Sequence, residues 1–167
     1  MLLCDALYSD YTKEASFIIT DGEKINEGKL IVTKGETSSI EFISPDTLSG
    51  ISISSDETGK ADSYTLSFDG ISTDIPKSLL GKISLMFTAV SDEAATGAKN
   101  LKKTDCFRVT DKDLLKRYEG YTPFLTTIRV GDVSVIVTYD SLSGEILSLC
   151  ASENESSVTL DFSAHTL

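Results

Sequence analysis

Acid–base, nucleophilic and metal chemistry each need particular side chains held in register, and this sequence is poor in them. Its one histidine, His165, stands within the last few residues given. A frayed tail does not hold an imidazole in place, so Ser-His-Asp and Cys-His catalysis are not expected. A histidine-based zinc site falls with it. Without a Cys-x-x-Cys pair, neither a structural zinc nor a dithiol redox centre is expected. No Gly-x-Gly-x-x-Gly precedes a helix, and Thr58-Gly59-Lys60-Ala61 does not make a phosphate-binding loop. Carboxylates are plentiful, but their surroundings read as structural. Asp111 and Asp113 open a short predicted helix, where negative charge meets the helix dipole. Asp140 and Glu145 flank a hairpin turn, Ser141-Leu142-Ser143-Gly144, where Asp is an ordinary local cap. Asp56-Glu57 and Asp92-Glu93 read as solvated charges, and the acidic positions do not follow a calcium-loop spacing. Asn154-Glu155-Ser156 is a glycosylation triplet of a kind that arises often by chance. The expectation is a protein without catalytic residues, metal or cofactor, and not an enzyme.

The cysteines, Cys4, Cys106 and Cys150, are odd in number. A bond between Cys106 and Cys150 is one reading, and two buried strand thiols are the preferred one. Met1-Leu2-Leu3-Cys4 is apolar and turns polar at Asp5. It matches a bacterial lipidation motif poorly, since a basic segment and an apolar run should precede such a site. Two readings stand for residues 1–13: an ordinary start, helical from Asp5 to Lys13, or the remnant of an export signal with Cys4 as a lipidation site.

The chain of 167 residues carries a formal charge of −11 with 40% hydrophobic and 25% charged residues. That is the length and composition of one folded domain spanning 1–167. Its negative field repels phosphate, so nucleic acid and anionic membrane surfaces are not expected partners. Lys99, Lys102 and Lys103 form the sole basic concentration and read as a solvated loop, because Asp105 follows. No stretch approaches the roughly 18 apolar residues of a membrane-spanning helix. Ser and Thr are frequent, Arg is scarce and Trp is absent, a composition common in exported β-proteins.

The elements follow from periodicity. Glycine turn signals recur at Asp21-Gly22, Glu27-Gly28, Lys34-Gly35, Ser49-Gly50, Thr58-Gly59, Asp69-Gly70, Gly131-Asp132 and Ser143-Gly144. Between them, Tyr64, Leu66 and Phe68, then Val133, Val135, Val137 and Tyr139, then Val158, Leu160 and Phe162 alternate mostly with Ser and Thr. Such period-2 runs give a sheet with one dry and one wet face. With less regular runs at 14–20, 29–33, 38–43, 50–54, 106–109, 126–130 and 145–150, about ten strands are predicted. Ile18-Ile19 and Ile31-Val32 are apolar on both faces, which predicts strands covered on both sides. Pro45 suits the end of the third strand. One segment differs. From Pro76 to about Glu93 the apolar residues Leu79, Leu80, Ile83, Met86, Phe87 and Val90 follow a helical period. A second short helix is predicted from Asp111 to Tyr118 with Thr110 as its cap. The predicted class is α+β: a strongly curved antiparallel sheet, an incomplete barrel, wrapped around one long helix.

This layout resembles the LolA-like fold of bacterial lipoproteins and lipoprotein-localisation factors, including small lipoproteins of Gram-positive gut bacteria. The resemblance rests on Ile43-Ser44-Pro45-Asp46-Thr47-Leu48-Ser49-Gly50-Ile51 and on Tyr64-Thr65-Leu66-Ser67-Phe68-Asp69-Gly70. It rests too on the helix after Pro76, on Tyr139-Asp140-Ser141-Leu142-Ser143-Gly144-Glu145-Ile146 and on the closing Asp161-Phe162-Ser163. It implies a bacterial cell-surface or extracellular protein, lipid-anchored or not, that holds an acyl chain or the hydrophobic part of another envelope molecule. It brings no catalytic residue.

Three functional readings stand, the least favoured being an enzyme relying on carboxylates or hydroxyls. In the first, a monomeric carrier holds a hydrophobic small molecule or lipid against a wall made by Leu79, Leu80, Ile83, Met86, Phe87 and Val90, rimmed by Tyr118, Tyr121 and Phe124. In the second, the helix fills the concavity, those aromatics are core anchors, and the domain serves structure or contact with other envelope proteins.

Overall fold

Alternating hydroxyl and branched or aromatic side chains suit a pleated strand half sunk in a core. In the computed structural model, which describes residues 2–55 and 63–163, they build eleven strands of one antiparallel sheet. The turn at Thr58-Gly59, the charges of Asp56-Glu57 and His165 lie outside the described residues. After a short helix α1 (Leu2–Tyr8) come β1 (Tyr11–Asp21), β2 (Lys24–Lys34), β3 (Ser39–Ser44), β4 (Ser52–Ser55), β5 (Ser63–Phe68) and β6 (Ile71–Pro76). Helices α2 (Ile83–Val90) and α3 (Asp92–Ala98) follow, then β7 (Cys106–Arg108), α4 (Lys112–Arg117), β8 (Pro123–Val130), β9 (Val133–Asp140), β10 (Ile146–Glu153) and β11 (Ser156–Asp161).

The spatial order is β6-β5-β4-β3-β2-β1-β11-β10-β9-β8-β7. Two meanders are therefore joined where the first strand pairs with the last, with Phe17 opposite Leu160. The chain leaves the sheet at one edge, β6, and rejoins it at the other, β7, so α2 and α3 must cross one face between them. Helix α2 packs on β9, β10 and β11, yet the Phe87 ring also meets Tyr64 of β5 at 4.7 Å. In a flat sheet β5 and β10 would stand about 29 Å apart, at about 4.8 Å per strand. An eight-residue helix spans only about 12 Å. The sheet bends around the helix to bring both within reach. Phe17, Leu30, Phe42, Val137, Leu149 and Leu160 line this inner face and are almost wholly buried.

The single long helix expected over 76–93 is not formed. Ile71–Pro76 is the edge strand β6, paired to β5 across the Asp69-Gly70 turn, and it accounts for the strand beyond ten. A 3-10 turn follows at Lys77–Leu79, and Gly81 takes a left-handed φ of 55° that breaks any helix there. Ser91, extended at ψ 157°, ends α2, and its hydroxyl accepts from the Ala94 N–H at 3.2 Å to start α3. All helices among the described residues are short, and none is long and apolar enough to cross a membrane.

Other expectations are corrected by local geometry. The N-terminal helix covers Leu2–Tyr8 rather than reaching Lys13, with Leu3 and Leu7 in the core. It is tied down by buried Lys34, which donates to the Leu7 carbonyl and pairs with Asp92 at 3.1 Å. The Tyr8 hydroxyl also hydrogen-bonds Thr96 at 2.8 Å. Gly28 is not a turn but lies inside β2, where a Cβ would sit 2.2 Å from the Ser44 carbonyl oxygen. Asp111, not Thr110, caps α4, accepting from the N–H groups of Asp113 and Leu114. Ile18 is 39% exposed, so the outer face of β1 is not covered as expected. Cys106 and Cys150 are free, half-buried thiols. They sit three strands apart, about 14 Å, beyond the reach of a disulfide.

Candidate functional site

The inner face is largely filled by the side chains of α2 and is open beside α1. A cavity of about 310 Å³ is lined by Leu3 of α1, Lys103 and Cys106 before and in β7, Phe124 of β8, Tyr139 of β9, and Ser141 and Gly144 of the turn after β9. Register explains the gathering. Phe124 lies opposite Tyr139, and Cys106 lies opposite Thr126, which shares a face with Phe124 and Ile128. Ile128 touches α3 through Gly97, so this face is the one that carries the helices. The Phe124 and Tyr139 rings stand 6.4 Å apart. Burial first, and then the neighbouring Cys106 thiol, push the Tyr139 phenol well above its ordinary pKa. It therefore stays a neutral hydroxyl at any physiological pH.

The rim is held rigidly. Asp140 is 5% exposed, and its carboxylate accepts from the N–H of Thr122 (2.8 Å), the N–H of Ser143 (2.9 Å) and the Ser143 hydroxyl (2.7 Å). Burial alone would raise its pKa. The hydrogen bonds from Ser143 and Thr122 outweigh that and lower it. On the opposite rim, Thr126 donates to the Asp105 carbonyl at 2.9 Å, and Asp105 in turn accepts from the Lys102 N–H at 2.7 Å.

The residues singled out from sequence are divided by the fold. Leu80, Met86, Phe87 and Val90 are buried in the core and Ile83 is partly buried, whereas Leu79 is 74% exposed. Phe87 and Val90 also reach a second cavity of about 210 Å³, whose mouth carries Lys34, Glu36, Ser38 and Asp92. Phe124 alone of the nine wall and rim candidates lines the larger cavity. Tyr118 lies on the other face of the sheet. Its hydroxyl donates to Ser148 (3.2 Å), which pairs in register with Asp161, opposite in direction to core residues Leu149 and Leu160. Tyr121 follows in the turn beyond α4, half-buried. Cys4 sits on α1, partly buried against the core beside Leu3. Sequence reasoning did not point to Leu3, Lys103, Cys106, Tyr139, Ser141 or Gly144 as a group. The one available signal was a pair of lysines, Lys102 and Lys103, separated by Thr104-Asp105 from a strand of the inner face.

No three His, Cys, Asp or Glu side chains gather as metal ligands among the described residues. No family model matches the sequence, and no curated protein is similar to it. Solved structures do align over nearly the whole chain. A LolA superfamily protein from Nitrosomonas europaea aligns with a TM-score of 0.42 and 11% identity, over 96% of this chain and 89% of that one. A DUF1329 family protein from Desulfovibrio piger gives 0.43 and 11%, over 96% and 88%. The complex of the CwlD amidase with the GerS lipoprotein from Clostridioides difficile gives 0.42 and 14%, over 95% and 86%. These are distant likenesses of outline.

Proposed function

We propose that this chain is a binding module that holds a hydrophobic ligand, a lipid or acyl chain, in the cavity between α1 and strands β7–β9. The observation that carries the reading is an apolar space of about 310 Å³ on the helix-bearing face. Leu3, Phe124 and Tyr139 wall it, and no side chain of the described residues fills it. Such pockets work by burying apolar surface, with few polar groups to orient the guest. About ten methylenes at about 0.8 kcal/mol each support binding between micromolar and millimolar once association costs are counted. A setting in the bacterial cell envelope belongs to the same reading. Its support is the sequence resemblance and the hydroxyl-rich strands.

The space first expected, between the helical stripe and the sheet, is occupied by Met86, Phe87 and Val90 themselves. That packing favours the filled-core reading for the region under α2 and supports looking for the ligand beside α1. The test is saturable fluorescence of N-phenyl-1-naphthylamine with the folded protein and with Cys106→Phe, which fills the cavity. Wild type should bind and the variant should lose at least tenfold in affinity at an unchanged melting temperature. Probe binding indifferent to the filling residue, or none by wild type, would remove the proposal.

A further inference from the structure

We infer that the preferred occupant is a single-chain anionic amphiphile, a fatty acid of about ten carbons whose carboxylate rests at Lys103. The inference depends on the cavity reading above and sharpens it. Size sets the first term. A methylene is close to a water in size, about 30 Å³, so the cavity has room for about ten such groups, enough for one chain of that length. Charge sets the second. Lys103 is the only charged residue lining the cavity; it is exposed and forms no ion pair among the described residues.

In a chain of net charge −11, an anion would ordinarily be repelled. Among the carboxylates next to cavity-lining residues in sequence, Glu145 pairs with Lys13 at 3.4 Å. Asp105 and Asp140 keep their charge, with oxygens hydrogen-bonded to the N–H groups of Lys102, Thr122 and Ser143, so an anion needs a local cation to hold it here. Lys99 is taken up over the Tyr8 ring at 4.5 Å. Lys103 is the cation that lines the apolar slot; Lys102, also exposed and without an ion pair among the described residues, does not line it. Tyr139, whose hydroxyl stays neutral, adds no negative charge to the lining of the slot.

The experiment is displacement of N-phenyl-1-naphthylamine from the full chain by decanoate and by decan-1-ol, in wild type, Lys103→Met and Lys103→Arg. Because the ammonium is exposed, decanoate should win over the alcohol by about two- to fivefold. That advantage should vanish in Lys103→Met and return in Lys103→Arg, while the alcohol binds all three alike. Affinity along a series of fatty acids should rise about fourfold per methylene and level off near ten carbons. Equal affinity of acid and alcohol for wild type, or an advantage that survives Lys103→Met, would overturn the headgroup assignment and leave the cavity reading standing. A rise that continues to sixteen carbons would overturn the single short chain. If neither guest displaces the probe, or the probe never binds, both readings fall together.

Discussion

Asp140 is a buried carboxylate that holds the rim of the candidate site through three hydrogen bonds to Thr122 and Ser143. Replacing it by Asn keeps the shape but turns one acceptor oxygen into a donor facing the Ser143 N–H. The expected loss at neutral pH is about 1–3 kcal/mol. The pH dependence carries the sign of a depressed carboxyl. Its contribution is full above the unfolded-state value of about 4 and is lost as pH falls through the lower folded value. Urea unfolding at pH 7 and pH 3 should therefore show a wide gap between wild type and Asp140→Asn at pH 7 and a narrower one at pH 3. A gap of equal width at both would mean the carboxylate is not held as described. This role was legible in the sequence, because Asp before Ser-Leu-Ser-Gly is local turn chemistry. Lys103 was not: its meaning depends on Leu3 and Tyr139, far away along the chain.

At the level of elements, α3 sits on β8 because Gly97 has no side chain. A Cβ there would lie 2.4 Å from the Cγ2 methyl of Ile128, itself 2% exposed and unable to swing away. Alanine gains about 1 kcal/mol of helix propensity, but overpacking a rigid contact costs about 1–3 kcal/mol. Gly97→Ala should therefore lower stability by about 1 kcal/mol in a thermal or urea melt, against the propensity scale. A variant as stable as wild type would mean that α3 stands off the sheet. The helical stripe from Leu79 to Val90 was legible as apolar period, and its core residues are buried as such a stripe requires. The breaks at Gly81 and Ser91 were not, since a glycine in a helical pattern signals either a tolerated cost or a left-handed stop. The edge strand β6 was not legible, because Pro76 fits the first turn of a helix as well as it fits an edge strand.

For the whole molecule, closure of β1 on β11 places the middle of the sheet where the two halves of the chain meet. Local opening should follow that geometry. Backbone amides of β1, β10 and β11 should exchange slowest, and those of the exposed edge hairpin β5–β6 about a hundredfold faster or more. Hydrogen exchange read by mass spectrometry checks this, and uniform protection across the sheet would contradict it.

The sequence by itself determined ten of the strands, most of the turns, the local capping at Asp140 and the α+β class, because alternation and turn chemistry are properties of residues within a few positions of one another. Only the tertiary structure decided what faces what. Tyr118 and Phe124 stand six positions apart with the same apolar character, yet one packs on the outside of the sheet and the other lines the cavity. The bend that brings β5 and β10 onto one helix, and the gathering of Leu3, Lys103, Cys106 and Tyr139, arise from strand order. Strand order is fixed by contacts between distant parts of the chain, which no local period encodes.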